Sequence, residues 1–191
     1  MVMVLAGNGS ITGASSLVGN LSITGTANVS QGLTTASRGI SNASVPAGCI
    51  LQVLSTTYSS QYIRTSATSS WVATPLTLNI TPTFTSSKIL ITVTTRLAAA
   101  VAHNMLAAGI LRNGSLIGAT MQTPANDGYG YAVPITLQYL DSPSTTSAVT
   151  YALGSADLNN DGATFYMNRS SQGSTTEVTS DSNIVLMEVA Q

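Results

Sequence analysis

The sequence predicts an all-β protein: an antiparallel β-sandwich, jelly-roll-like, preceded by an extended and uncharged N-terminal arm. Three observations lead there. Ser and Thr account for 26 and 27 of the 191 residues, and together with Val and Ile they favour strands and turns over helices. Several stretches alternate apolar and polar residues with period two, the signature of a half-buried strand. Clusters of Gly, Asn, Pro and Ser separate these stretches at intervals of roughly 10–20 residues, the punctuation of a sandwich or jelly roll.

The arm comes first. Between Met1 and Ser37 there is no Asp, Glu, Lys, Arg or His, and the first charged residue is Arg38. Flexible tails stay soluble by carrying charge and lacking apolar groups. This one does neither, since Val2, Val4, Leu5, Ile11, Leu17, Val18, Leu21, Ile23, Val29 and Leu33 are spread through it. It is also too rich in Gly to form a core of its own, so it is expected to order against another copy of the chain or a foreign surface. Ser10-Ile11-Thr12-Gly13 recurs as Ser22-Ile23-Thr24-Gly25, which suits short extended stretches able to join a partner's sheet edge. Fully extended, 37 residues span about 120 Å.

Val45-Pro46-Ala47-Gly48 is the expected joint, giving an assembly arm over 1–44 and a sandwich domain over 45–191. Ile50 to Leu54 reads as the first strand. Leu76, Leu78 and Ile80 alternate with Thr77 and Asn79, and Thr81-Pro82 ends that strand. Lys88 to Arg96 repeats the pattern, with Ile89, Ile91 and Val93 on one face. Leu97 to Met105, with its Ala run, suits a helix, a strand or an irregular crossover. Met105 to Leu111 and Ser115 to Ala119 flank Asn113-Gly114, the preferred centre of a type I′ hairpin because both positions need positive φ. Val133 to Leu140, Ala148 to Leu153, Thr164 to Asn168 and Ile184 to Ala190 bring the number of strands to about nine.

Composition excludes several roles. Six basic residues scattered among seven acidic ones, for a net charge of −1, leave no electrostatic footprint for nucleic acid or anionic lipid. No apolar run approaches the ~20 residues of a membrane span. The apolar opening Met1 to Ala6 is short and has no basic residues before it, so it does not read as a secretory signal. Without one, the Asn-x-Ser/Thr sequons carry little weight. Cys49 is the single cysteine and is expected to be a small buried hydrophobe.

No catalytic, cofactor or metal site is expected. His103 is the one histidine, and no Gly-x-Ser-x-Gly elbow, phosphate loop or metal spacing accompanies it. Asp157, Asn159 and Asp161, followed by Gly162, match the first half of a calcium loop, but the bidentate Glu needed at the twelfth position is Asn168. A turn is the better account. Asp127, Asp141, Glu177 and Glu188 are the acids from which a glycan-hydrolysing pair would have to come. Trp71 and Tyr129, Tyr131, Tyr139, Tyr151 and Tyr166 could offer a sugar-stacking surface, although aromatics in a sandwich more often fill cores or interfaces.

Several stretches carry a resemblance. Thr81-Pro82 leading through Ser86-Ser87-Lys88-Ile89-Leu90-Ile91, then Tyr139-Leu140-Asp141-Ser142-Pro143 with Thr150-Tyr151, then Met167-Asn168-Arg169-Ser170 and the closing Ile184 to Ala190 are similar to the C-terminal β-domain of cyanophage and marine-phage virion structural proteins, often labelled tail fibres. The opening Met3-Val4-Leu5-Ala6-Gly7-Asn8-Gly9-Ser10 is similar to the start of such proteins. The resemblance covers about 150 residues. It implies a homotrimeric β-domain on the virion surface and brings no catalytic residues with it. The chain departs from the family in length, because one arm joins one domain with no shaft between.

Two non-enzymatic roles therefore stand. One is a capsid decoration (cement) protein whose arms lie across the joints of the major capsid protein. The alternative is a short tail fibre or receptor-binding protein recognising a host surface glycan. An enzyme on envelope sugars is the weakest reading, because titratable groups are so scarce.

Overall fold

The computed structural model describes residues 45–65, 68–99, 106–122, 132–160, 162–171 and 180–191. The proposed arm, residues 1–44, lies outside them. Ten strands are described: β1 (Ile50–Tyr58), β2 (Tyr62–Arg64), β3 (Val72–Ile80), β4 (Lys88–Ala99), β5 (Leu106–Arg112), β6 (Ser115–Gln122), β7 (Val133–Asp141), β8 (Val149–Asp157), β9 (Phe165–Met167) and β10 (Ser182–Val189). No helix occurs among the described residues.

Leaving β2 and β9 aside, the strands form two four-stranded antiparallel sheets. Sheet A runs β1-β10-β4-β7 and sheet B runs β3-β8-β5-β6. This interleaved order, with the first and last strands adjacent in one sheet, is that of a jelly roll, two Greek keys wrapped into a sandwich. The short β2 and β9 pair with each other, and β9 also pairs with the last residues of β4, Leu97 to Ala99. The Ala run thus continues as strand as far as it is described, and residues 100–105 lie outside. Strand β2 was not expected from the sequence. It is three residues long and contains Arg64, so it carries no alternation to read.

Alternation builds the core. Ile89, Ile91, Val93 and Leu97 of β4 and Ile184 and Leu186 of β10 point inward from sheet A, facing Leu76, Ile80, Ile110, Tyr151 and Leu153 of sheet B. Each large aliphatic side chain buried this way contributes about 1.5–3 kcal/mol. Pro75, which has no N–H to give, sits in edge strand β3 where the register with β8 breaks between Ala73 and Thr77, the position a strand proline tolerates.

The expected hairpin forms. Asn113 and Gly114 have φ of 49° and 83°, and β5 and β6 pair around them. Asn113 also ties the turn to sheet B. Its N–H donates to Thr150 O, and its Oδ1 accepts from Thr150 N at 3.0 Å.

Candidate interaction surface

On sheet A, alternation that points one residue into the core points its neighbours outward over most of β4, β7 and β10, and those neighbours are apolar at one end. Val53 pairs with Met187, Met187 with Leu90, and Leu90 with Leu140, so four large apolar side chains cross all four strands in one row. Val53 and Leu140 are 53% and 49% exposed, and Met187 and Leu90 between them are half-buried. The next row is Ser55, Val185, Thr92 and Gln138, and the one after it Thr57, Asn183, Thr94 and Thr136. No charged residue stands in these three rows. Ile50, 59% exposed, and Val189 extend the apolar end, where Lys88 closes the corner.

The row rests on two pinned acids that face inward one residue away. Asp141 and Glu188 both pair with Ile89, one from each side. Asp141 accepts from Arg112 Nη1 at 3.0 Å and from the Tyr151 hydroxyl at 2.7 Å, joining sheet A to β5 and β8 of sheet B. Burial, and then the bond to Asp141, push the Tyr151 phenol well above its ordinary pKa. Glu188, fully buried, accepts from Gln52 Nε2 at 2.5 Å, from Thr83 N at 2.6 Å and from Thr83 Oγ1 at 3.0 Å. Burial alone would raise its pKa, but these hydrogen bonds outweigh burial and hold the carboxyl below its ordinary value. Asp141 thereby fixes the Leu140 end of the row to sheet B, and Glu188 ties β10 to Gln52 beside Val53 and to the segment after β3.

The candidate hydrolytic acids accordingly separate. Asp141 and Glu188 share a row but are closed off by internal partners, while Asp127 and Glu177 lie outside the described residues, as does His103. The aromatic candidates separate too. Tyr151 is fully buried, and Tyr139 packs over Gly118 on the facing sheet. Trp71 lies against Gly109, and Tyr166 sits under the Arg169 guanidinium, 5.3 Å from its ring centre. They form no common surface among the described residues, and Tyr129 and Tyr131 lie outside.

The Asp157 loop is a turn in the described residues. Asp157 is buried, and its Oδ2 accepts from Gly162 N at 2.9 Å and Ala163 N at 3.0 Å. Asn160 and Gly162 take positive φ of 54° and 80°. Asp161 lies outside. Asn168, at the position a calcium loop reserves for Glu, is instead committed to the fold: its Nδ2 donates to Tyr58 O and Ser60 O, and its Oδ1 accepts from Ser182. No group of three or more metal-ligating side chains occurs among the described residues.

Cys49 corrects the sequence expectation. It is exposed, because it stands on the turn where its N–H bonds Pro46 O, just before edge strand β1. The apolar row was missed by sequence reasoning, yet a signal existed. Ile89-Leu90-Ile91 and Ile184-Val185-Leu186-Met187 are continuous apolar runs, which mark strands with apolar groups on both faces.

No family model and no curated protein matches the sequence. Among solved structures, the crystal structure of the infectious bursal disease virus VP2 subviral particle is similar at a TM-score of 0.37 and 12% identity, over 73% of this chain. The match spans 38% of that protein's chain, and a likeness this slight assigns no role.

Proposed function

We propose that this protein is a non-enzymatic structural component of a bacteriophage virion, a homotrimer on the particle's outer surface that decorates and stabilises the capsid through its N-terminal arm. The observation that carries the assembly role in this reading is the outer face of sheet A, uncharged over three rows and ending in the row from Val53 to Leu140. A face of this kind suits burial against protein, since it brings no charge that must be desolvated. The uncharged arm and the resemblance to phage virion β-domains support the same reading. The jelly roll itself is neutral, because it also serves lectins and cupins.

The test is the number of copies per particle, measured by quantitative mass spectrometry of purified virions. A decoration protein is present on the order of hundreds of copies, matching the capsid lattice, whereas a tail component is present in about a dozen or two, matching the tail's rotational symmetry. The higher number supports the proposal. The lower number moves the protein to the tail, and absence from the virion removes it from the particle altogether.

A further inference from the structure

We infer that the apolar row Val53–Met187–Leu90–Leu140 is the seat of the N-terminal arm of a second copy of this chain. The inference rests on the assembly role proposed above and names the surface and the partner. Three observations lead to this occupant.

The first is charge. The row and the two rows beside it carry none, and neither does the sequence from Met1 to Ser37. Each could cover the other without leaving an ionised group in a dry contact.

The second is where the described chain begins. Gly48 N donates to Ala190 O, and Ala190 N donates to Cys49 O, both at 2.9 Å. These bonds fix the start of the domain beside the end of β10, next to the pair Ile50–Val189 at the apolar end of the face. The 44 residues that precede Val45 are therefore joined to the domain at the face they would cover in a neighbour.

The third is reach, which is long enough for a neighbour in the homotrimer proposed above. Residues 34–44 hold Arg38 and a single large aliphatic residue, Ile40, and the aliphatic-rich sequence ends at Leu33. From Leu33 to Val45 the extended chain spans roughly 40 Å. The row, four strands wide, is only about 15 Å across. A link of this length can carry the aliphatic part of the arm to the row of an adjacent copy in the homotrimer proposed above. Such a head-to-tail contact is heterologous, and it closes in a ring such as a trimer. The seat is also prepared in advance, since Asp141 and Glu188 pin the strands directly beneath it, so little ordering remains to be done on that side.

The experiment uses the full-length protein in solution, as a mixture of isotopically heavy and light chains. Cys49 is exposed and the sole cysteine, so a benzophenone maleimide on it places a photo-cross-linker beside the apolar end of the face, next to the Ile50–Val189 pair, without any substitution. A Cys49→Ser, Leu140→Cys variant places the same probe at the Leu140 end of the row. The expected result is mixed heavy–light cross-links from both probes to peptides within residues 1–37. Val53→Asp should lower their yield by about tenfold or more while the melting transition stays cooperative, because an exposed side chain can change without loss of core. Cross-links confined to one chain overturn the inference in favour of the copy's own arm. Mixed cross-links to residues 45–191 overturn it in favour of domain-to-domain packing, and no cross-link at either probe overturns it outright. Copies counted per virion are independent of this result, so the failure of the seat and the failure of the virion role can be told apart.

Discussion

The hydroxyl of Tyr151, on the inner face of sheet B, donates a 2.7 Å hydrogen bond to Asp141 Oδ2 at the end of β7 in sheet A. Arg112 of β5 approaches the same carboxylate at 3.0 Å. One acid thus ties both sheets together at one end of the sandwich.

Removing either partner should therefore cost more than a surface pair would. Tyr151→Phe is expected to lose about 1.5–3 kcal/mol, the contribution of a hydrogen bond to a charged group. Asp141→Ala should lose more, because it leaves a buried hydroxyl without its acceptor. Arg112 is about a third exposed, so its share is reduced by solvent screening. Urea melts of the two single variants and the double variant check this, with a coupling energy near zero overturning it.

Tyr151 also predicts an alkaline limit. Its pKa in the folded protein lies above the ordinary value of 10.0. A raised folded pKa means that its contribution is fully present below pH 10 and is lost as the pH climbs past it, where the unfolded chain ionises and the folded one does not. Stability of the wild type should fall above about pH 10 more steeply than that of Tyr151→Phe. In ultraviolet titration of the native protein, one tyrosine should remain protonated after the exposed ones have ionised.

Glu188 predicts the opposite limb. Its folded pKa is lowered from the ordinary value of 4.5, so its contribution is present above that pH and is lost as the pH falls through the folded value. Glu188→Gln should be less stable at neutral pH, because an amide cannot accept from Gln52, Thr83 N and Thr83 Oγ1 as the carboxylate does. Its melting temperature should also change less than that of the wild type between about pH 5 and pH 3. Parallel curves for the two proteins would show that Glu188 does not carry this dependence.

Two glycines separate conformational from steric cost. At Gly114, φ is 83° and nothing lies within 4 Å of an added Cβ, so Gly114→Ala should lose about 1 kcal/mol through backbone strain alone. At Gly118 an added Cβ would run into the Tyr139 ring. Gly118→Ala should cost about 1–3 kcal/mol through overpacking, and Tyr139→Leu should recover part of it. Additive losses in the Gly118–Tyr139 pair would contradict the contact.

The Asp157 turn should be indifferent to calcium. Since Oδ2 already serves two backbone amides, excess chelator is expected to leave the melting temperature unchanged, and Asp157→Ala should destabilise equally with or without the ion. A binding ion would instead raise stability with its concentration, and a shift of several degrees would make the loop a cation site.

Most strands and one turn were legible in the amino-acid order alone. Alternation fixes which face of a strand meets the core, so Ile89, Ile91 and Val93 could be placed inward without knowing what they face. Asn113-Gly114 fixes its own turn because positive φ is a local property. The pairing of β1 with β10 and of β3 with β8 joins residues more than 65 positions apart, and the alternation within each strand is equally satisfied by many pairings. Strand order therefore came from the folded sandwich, and with it everything that lies between strands. Asp141 and Glu188 looked like candidate acids until pairing with Ile89 placed them over Tyr151 and Thr83. Leu90, Met187, Val53 and Leu140 were four scattered apolar residues until the register aligned them. A row on a sheet is a property of register, and register is set by the packing of the whole sandwich.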